Sequence, residues 1–208
     1  MKLILDLCGG SGSWSLPYKN AGYIVQIVTF PYHDVRTFTP PPGVDGILAA
    51  PPCESFSRAP NPNGGIARGS RHTQMDGMEI VNACLRIINQ CKPAFWALEN
   101  PTGDLRKYLG KPRFTFQPYE FGDGWTKRTD IWGNFNIPTK THTWETCPKL
   151  ELYTRPGRNK PGIASLHRRE IMVDIPQLAW ASSHCKTDVD TRAVTPPGFT
   201  TAFFNANR

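Results

Sequence analysis

Residues 49–57 read AAPPCESFS and follow the apolar run GIL at 46–48. Two adjacent prolines fix φ at about −65° and remove two backbone donors. Pro51 and Pro52 therefore end a strand that spans residues 45–50, and the residue after them leaves in a defined direction. That residue is Cys53, whose thiol is presented on a rigid turn rather than packed. Taken alone, a cysteine here is most often one more small apolar core residue. It gains chemical meaning from a glycine loop and a carboxylate found at the ends of similar strands elsewhere in the chain.

Residues 2–7, KLILDL, form a short apolar strand that runs into CGGSGS, and residues 14–20 read as a short helix closed by Gly22. Gly9, Gly10 and Gly12 let the backbone approach a ligand closely, and Asp6 at the strand end is placed to accept hydrogen bonds from a hydroxyl or an amine. The spacing is not GxGxxG and the loop has no lysine for phosphates. A small adenosine-bearing cofactor without phosphates fits better, against the commoner case of a tight turn with no ligand. Residues 23–30, YIVQIVTF, make a second strand. HDVRTF follows Pro31, with Asp34 in the connecting loop, and Pro40, Pro41, Pro42 and Gly43 break the chain before the strand that delivers Cys53. Strand, loop, helix and strand in this order predict an α/β fold, a mostly parallel sheet covered by helices on both faces, with ligands at the carboxyl ends of the strands.

Residues 58–71 hold Pro60, Pro62, Gly64, Gly65 and Gly69 among Arg58, Arg68 and Arg71, with no apolar period. They read as a basic loop that closes over a polyanion, or as a solvated surface loop. Met78, Val81, Leu85 and Ile88 then share one stripe of a helix over 75–91, with Cys84 and Cys91 in the core and Pro93 as its stop. Residues 94–98, AFWAL, form a buried strand that ends in Glu99, Asn100 and Pro101. A carboxylate there is desolvated, which favours its protonated form and keeps a proton available. Strand character returns at Ile131 and Trp132 after Lys127, Arg128 and Asp130. Residues 137–192 lose helical periodicity and interleave His142, Trp144, Tyr153, Arg155, Arg158, Arg168 and Arg169, as a small loop-rich insertion would. Residues 195–207, TPPGFTTAFFNAN, begin a helix at Pro196 or Pro197 that packs back on the sheet.

The formal net charge of +7 is unevenly placed. Lys and Arg outnumber Asp and Glu nine to four over residues 58–113 and nine to six over 134–192, whereas residues 1–57 carry three against four. The excess after the Cys53 turn and in the C-terminal third suits a polyanion such as nucleic acid. No apolar run approaches the ~18 residues of a membrane span, and residues 1–7 are too short and too soon acidic for a signal peptide. A soluble, cytoplasmic, monomeric protein is expected. The six cysteines show no CxxC pair or framework spacing and read as reduced thiols. A zinc site from His142, Cys147, His184 and Cys185 has unorthodox spacing and is not favoured.

DLCGGSG, AAPPCESFS, LENP and KRTDIWG, in that order, make the chain resemble the DNA cytosine-5 methyltransferases, above all the short versions encoded by bacteriophages. The resemblance covers nearly all of residues 1–137 and extends to TPPGFTTAFF. It implies a Rossmann-like sheet that binds S-adenosylmethionine, built from residues 1–137 and 193–208, with residues 138–192 as the target-recognition segment. By position, Asp6, Leu7, Cys8, Gly9, Gly10, Ser11, Gly12, Ser13, Trp14, Asp34, Val35 and Pro51 fall to the cofactor. Cys53 matches the nucleophile of the family's Pro-Cys motif, Glu99 the glutamate that holds the cytosine ring nitrogen, and Arg128 the first of its paired arginines. The chain departs from the pattern at Asp130, where the second arginine stands, and at Thr29 and Phe30, where an acid usually meets the cofactor ribose.

The resemblance implies that the Cys53 thiolate adds to carbon 6 of a flipped-out cytosine in duplex DNA while Glu99 protonates ring nitrogen 3, which activates carbon 5. Ser57, Arg58, Arg68 and Arg71 fall to the phosphates, and Arg155, Arg158, Arg168 and Arg169 to the groove. Two alternatives stay open: the same chemistry on RNA or a free cytosine nucleotide, given the short recognition segment, or a non-catalytic nucleic-acid-binding relative, given Asp130 and Thr29.

Overall fold

Short apolar runs punctuated by glycine and proline become the strands β1 (Leu3–Leu7), β2 (Ile24–Val28), β3 (Val44–Ala49), β4 (Phe95–Pro101), β5 (Phe114–Phe116) and β6 (Thr129–Asn134) in a computed structural model. The structure describes residues 1–57, 71–148, 176, 178, 179, 185, 186 and 188–208. The strands form one sheet in the order β2-β1-β3-β4-β6-β5. β1 pairs in parallel with both β2 and β3, β3 pairs in parallel with β4, and β6 alone is seen to run antiparallel, against β4. This is the Rossmann-like α/β architecture expected from the sequence. The chain steps outward from β1 to β2 and then returns to the other side of β1 for β3. Strand order therefore reverses between β1 and β3, and it is outside the carboxyl ends of such a pair that open α/β sheets bind ligands.

Helix α1 (Leu16–Asn20) follows β1, and α2 (Arg71–Cys91) joins β3 to β4. Of the stripe read from the sequence, Val81 and Ile88 are buried and Met78 and Leu85 are half-buried against the core. Val81, Cys84, Ile87 and Ile88 of α2 join Leu5, Leu7, Ile47, Ala49, Leu98 and Trp132 of the strands in one core. Each large aliphatic side chain fully buried there contributes about 1.5–3 kcal/mol relative to exposure. α2 begins at Arg71 rather than Met75, because Arg71 to Gln74 continue the helix without continuing its apolar period. Cys84 is buried as expected, while Cys91 is half-buried, and no disulfide joins any of the six cysteines.

By backbone contacts the chain separates into two compact units. The first comprises Met1–Gly9, Tyr18–Thr115 and Thr129–Phe135 and holds the core just described. The second comprises Gly10–Pro17, Phe116–Arg128 and Asn136–Arg208. Its described part gathers Trp14, Phe121, Phe199 and Phe203, with Phe116 stacked on Phe199 at 3.9 Å between ring centroids. Helix α3 (Arg106–Leu109) belongs to the first unit, and α4 (Asp188–Ala193) and α5 (Pro197–Ala206) to the second. α5 starts at Pro197, as read. Its first turn is received by Asp123, whose Oδ2 accepts the Gly198 N–H at 2.9 Å. A Cβ at residue 198 would collide with the Phe121 carbonyl, so glycine is required there. Burial pushes the Asp123 carboxyl up to about 7 against the opposing pull of the backbone donors of Gly198 and Phe199.

Among the described residues no helix is long and apolar enough to cross a membrane. Most of the expected recognition segment, residues 138–192, lies outside the described residues.

Candidate active site at the carboxyl edge of the sheet

Ala49 is paired with Leu98, so residues 50–53 leave the sheet beside Glu99 and Asn100. The Ala50 N–H still reaches back to the Leu7 carbonyl at 2.9 Å. Pro51 is buried, and its carbonyl accepts a hydrogen bond from Asn100 Nδ2 at 2.9 Å. The chain then closes one turn on Cys53, whose carbonyl accepts from Phe56 N at 3.1 Å and Ser57 N at 2.9 Å. Phe56 is fully buried in the core, and its own carbonyl is held by Asp104 N at 2.8 Å. From the other side α2 comes so close at Gly77 that a Cβ there would lie 2.5 Å from the Ser55 Cβ. The turn is pinned by its backbone on every flank, while Cys53 itself is exposed. This is the presentation expected from the two prolines.

Glu99 and Asn100 precede Pro101, the last residue of β4, and are 5% and 1% exposed. Asp6 is aligned with Leu48 and Leu48 with Ala97. Side chains alternate along a strand, so Asp6, Leu48, Ala97 and Glu99 face the same side of the sheet. Two buried carboxylates, Asp6 and Glu99, therefore share a face near the carboxyl ends of β1 and β4, with β3 between them. Asn100 lies on the opposite face, and its Oδ1 is buried with no hydrogen-bond partner among the described residues. Just after β1 the backbone turns sharply: Cys8 has φ 57° and its N–H bonds the Val28 carbonyl at 2.8 Å. A Cβ on Gly9 would run into the Asp6 carboxyl, so this glycine keeps the loop folded onto the acid. A hydrogen bond from the Cys84 thiol of α2 to Cys8, together with burial, pushes the Cys84 thiol well up.

Asp34 stands beyond β2 at the head of a turn over residues 34–38, and its carbonyl accepts from Thr37 N at 3.1 Å and Phe38 N at 2.9 Å. Its carboxylate accepts from Arg36 N at 2.9 Å and is paired with the Arg36 guanidinium at 2.6 Å. Hydrogen bonds from Arg36 hold the Asp34 carboxyl below its ordinary range. Val35, the other residue assigned to the cofactor there, is buried.

Asp130 is fully buried and serves as an anchor. Arg106 grips it with Nε on Oδ2 and Nη2 on Oδ1, both at 2.6 Å, and Thr115 and Thr102 add their hydroxyls to Oδ1 at 2.8 and 3.0 Å. Burial by itself raises the Asp130 carboxyl, but the hydrogen bonds from Arg106, Thr115 and Thr102 outweigh it and hold the carboxyl low. The acid thus has an arginine of its own, delivered from α3. Arg128 is exposed and belongs to the second unit.

Gly10, Ser11, Gly12, Ser13 and Trp14, read as the rest of the cofactor loop, also belong to the second unit. There Ser13 Oγ accepts from Thr195 N at 2.9 Å, and Trp14, 2% exposed, sits 5.5 Å from Phe203 between ring centroids. Ser57 is half-buried after the Cys53 turn, and Arg71 is the first residue of α2. Arg58, Arg68, Arg155, Arg158, Arg168 and Arg169 lie outside the described residues, as does His184 of the disfavoured zinc set. Among the described residues no group of three His, Cys, Asp or Glu is placed to hold a metal.

Reading the sequence alone missed the supporting residues Asn100, Asp104 and Arg106. Only Asn100 carried a signal, as the neighbour of Glu99 in LENP.

No protein-family model and no curated protein matches the chain. Among solved structures it is similar to one described as a DNA modification methyltransferase encoded within an E. coli prophage, with 19% identity and a TM-score of 0.44, over 66% of this chain and 49% of that one. It is also similar to a mutant of Spodoptera frugiperda DNMT2, with 19% identity and a TM-score of 0.40, over 83% of this chain and 59% of that one. The chain thus spans about half the length of the first structure and under two thirds of the second.

Proposed function

We propose that the protein methylates carbon 5 of cytosine in DNA. The observation that carries this reading is the exposed Cys53 on a turn pinned by its backbone, beside the strand end that bears buried Glu99. A nucleophile needs access and fixed direction; a proton donor needs desolvation. The two residues have those opposite requirements met on neighbouring strands.

The residues at the end of β1 suit S-adenosylmethionine. Gly9 is folded onto buried Asp6 with no room for a Cβ, and CGGSGS holds no cation for phosphates. Asp6, Leu7, Cys8, Gly9 and Pro51 would hold it, with Asp34 and Val35 toward the adenosine and Gly10, Ser11, Gly12, Ser13 and Trp14 as the remainder of the loop. When bound, it supplies an electrophilic sulfonium methyl group. The protein's own part is to activate the base. The Cys53 thiolate forms a bond to carbon 6, and the electron pair of the 5,6 double bond moves toward carbon 5. Glu99 donates its proton to ring nitrogen 3, which removes the charge that would otherwise build there. At the end of the cycle the carbon 5 proton passes to water, the Cys53–carbon 6 bond breaks to return the thiolate, and Glu99 recovers its proton. Arg128 is assigned to the base, and Asp130 is left to structure.

A base in a duplex reaches such a pocket only when flipped out, at a cost of a few kcal/mol. Arg58, Arg68 and Arg71, with Ser57, are assigned to the phosphates that offset it, and Arg155, Arg158, Arg168 and Arg169 to the groove.

The test is transfer of labelled methyl from S-adenosylmethionine to duplex DNA, single-stranded DNA, RNA and dCMP in parallel, with Cys53→Ala as control. Label in duplex DNA that vanishes in the control is expected. Label confined to RNA or dCMP moves the substrate and keeps the chemistry; label in none, with cofactor bound, makes the protein a binding relative.

A further inference from the structure

The turn over residues 34–38 ends with carbonyls pointing away from it, as every helical turn does. Arg86, on α2 and about fifty residues away in sequence, meets them. Its Nη2 donates to the carbonyls of Val35 at 3.1 Å, Phe38 at 3.1 Å and Arg36 at 3.4 Å. Its Nη1 is held by Gln90 Oε1 at 2.9 Å, which sets the plane of the fork from the next turn of the same helix. Arg86 is half-buried. At the head of that turn Asp34 is engaged by Arg36, so the turn carries a cation and an anion locked together. Its position relative to β1 and β2 is set from α2, the helix that also contacts Cys8 through Cys84.

We propose that Arg86 is a positioning residue for the adenosine end of the cofactor: it ties the turn over residues 34–38 to α2, so that Asp34 and Val35 stand at the crevice beside β1. The inference rests on the proposed function, because it takes the Asp34 turn as part of the cofactor site. Arg86 makes no contact with the reacting atoms. Its effect falls on binding rather than chemistry. A lysine at this position keeps the charge but has a single nitrogen with three donors, so it cannot meet the three carbonyls and Gln90 Oε1 together, and the plane set by Gln90 is lost.

The experiment is calorimetric titration of the full chain with S-adenosylhomocysteine, for wild type, Arg86→Ala and Arg86→Lys, with steady-state kinetics on duplex DNA alongside. Affinity is expected to fall about tenfold in Arg86→Ala and less in Arg86→Lys, with KM for S-adenosylmethionine rising by a larger factor than kcat falls. Unchanged affinity in both variants, or a loss of kcat with KM unmoved, overturns the inference. Wild type that fails to bind S-adenosylhomocysteine overturns the proposed function itself, and the inference with it. Should Arg86→Ala not fold, Arg86→Lys decides by the same readings.

Discussion

At Cys53 and at Asp34 the chain leaves a parallel strand and closes a single turn on the carbonyl of that residue. Phe56 and Ser57 donate to Cys53, and Thr37 and Phe38 to Asp34, at 3.1 and 2.9 Å in both cases. What differs is the fate of the side chain. Cys53 is exposed, and the turn is held by Asn100, Asp104 and the close approach of Gly77, none of which needs the thiol. The Asp34 carboxylate is turned back on its own loop and gripped by Arg36. The same backbone device therefore leaves one residue exposed and pairs the other with a cation of its own turn. A residue at the head of a turn is available for chemistry only where the surrounding scaffold does the holding.

The comparison breaks first at the thiol. Cys53→Ser is expected to reduce methyl transfer to DNA to background while the melting temperature stays where it was. A large drop in melting temperature would mean that the thiol, too, is consumed by structure. Next comes the scaffold: Asn100→Ala removes the tether on Pro51 and leaves the thiol in place, and kcat is expected to fall about 100-fold, the cost of a small misplacement of a reacting group. Single-turnover rates measure this directly.

A buried version of the Asp34 arrangement sharpens the contrast. Asp130→Ala leaves Arg106 without its anion and should cost about 2 kcal/mol, less than the roughly 3–5 of a fully buried pair because the Arg106 side chain is partly exposed. Urea denaturation reads that loss. Its sign with pH follows from the depressed carboxyl. Asp130 contributes fully above the ordinary carboxylate value of 3.8, and the contribution is lost as pH falls through its lower folded value. Asp123 has the opposite sign. With its folded value raised to about 7, it binds a proton that the unfolded chain has released, so stability falls as pH rises from 3.8 toward 7, and Asp123→Asn should flatten that limb. The smallest effect belongs to Arg36→Ala. The melting temperature should not change measurably, and affinity for S-adenosylhomocysteine should shift by a few-fold at most, because the released Asp34 carboxylate stays at the surface.

Local signals carried the strands and left the tethers dark. Pro51 and Pro52 mark the end of β3 and the presentation of Cys53, and the stripe of Met78, Val81, Leu85 and Ile88 marks the face of α2 that packs on the core, because each depends on neighbours within a few positions. β4 runs on to Pro101, beyond the expected end at Leu98, since antiparallel β6 pairs with it as far as Thr129. That partner lies about thirty residues downstream. The four-residue α3 is too short to show a period. Asn100 on Pro51, Arg106 on Asp130 and Arg86 on the Asp34 turn join residues 49, 24 and about fifty positions apart, and no window along the chain contains both ends. Of the candidate site, the sequence carries the groups assigned to chemistry. The residues that aim them emerge only from the folded chain.

The pairing of Arg106 with Asp130 also limits which substitutions the chain accepts. An arginine at position 130 would set two guanidinium groups against each other where the acid is now fully buried, so a chain that carries Arg106 cannot take that change alone. Movement between the two arrangements has to pass through an intermediate in which position 106 has already lost its charge. Asp130→Arg is therefore expected to fold only when position 106 is made neutral or acidic in the same chain. Made alone, that substitution is a lesion of folding before it is a lesion of activity.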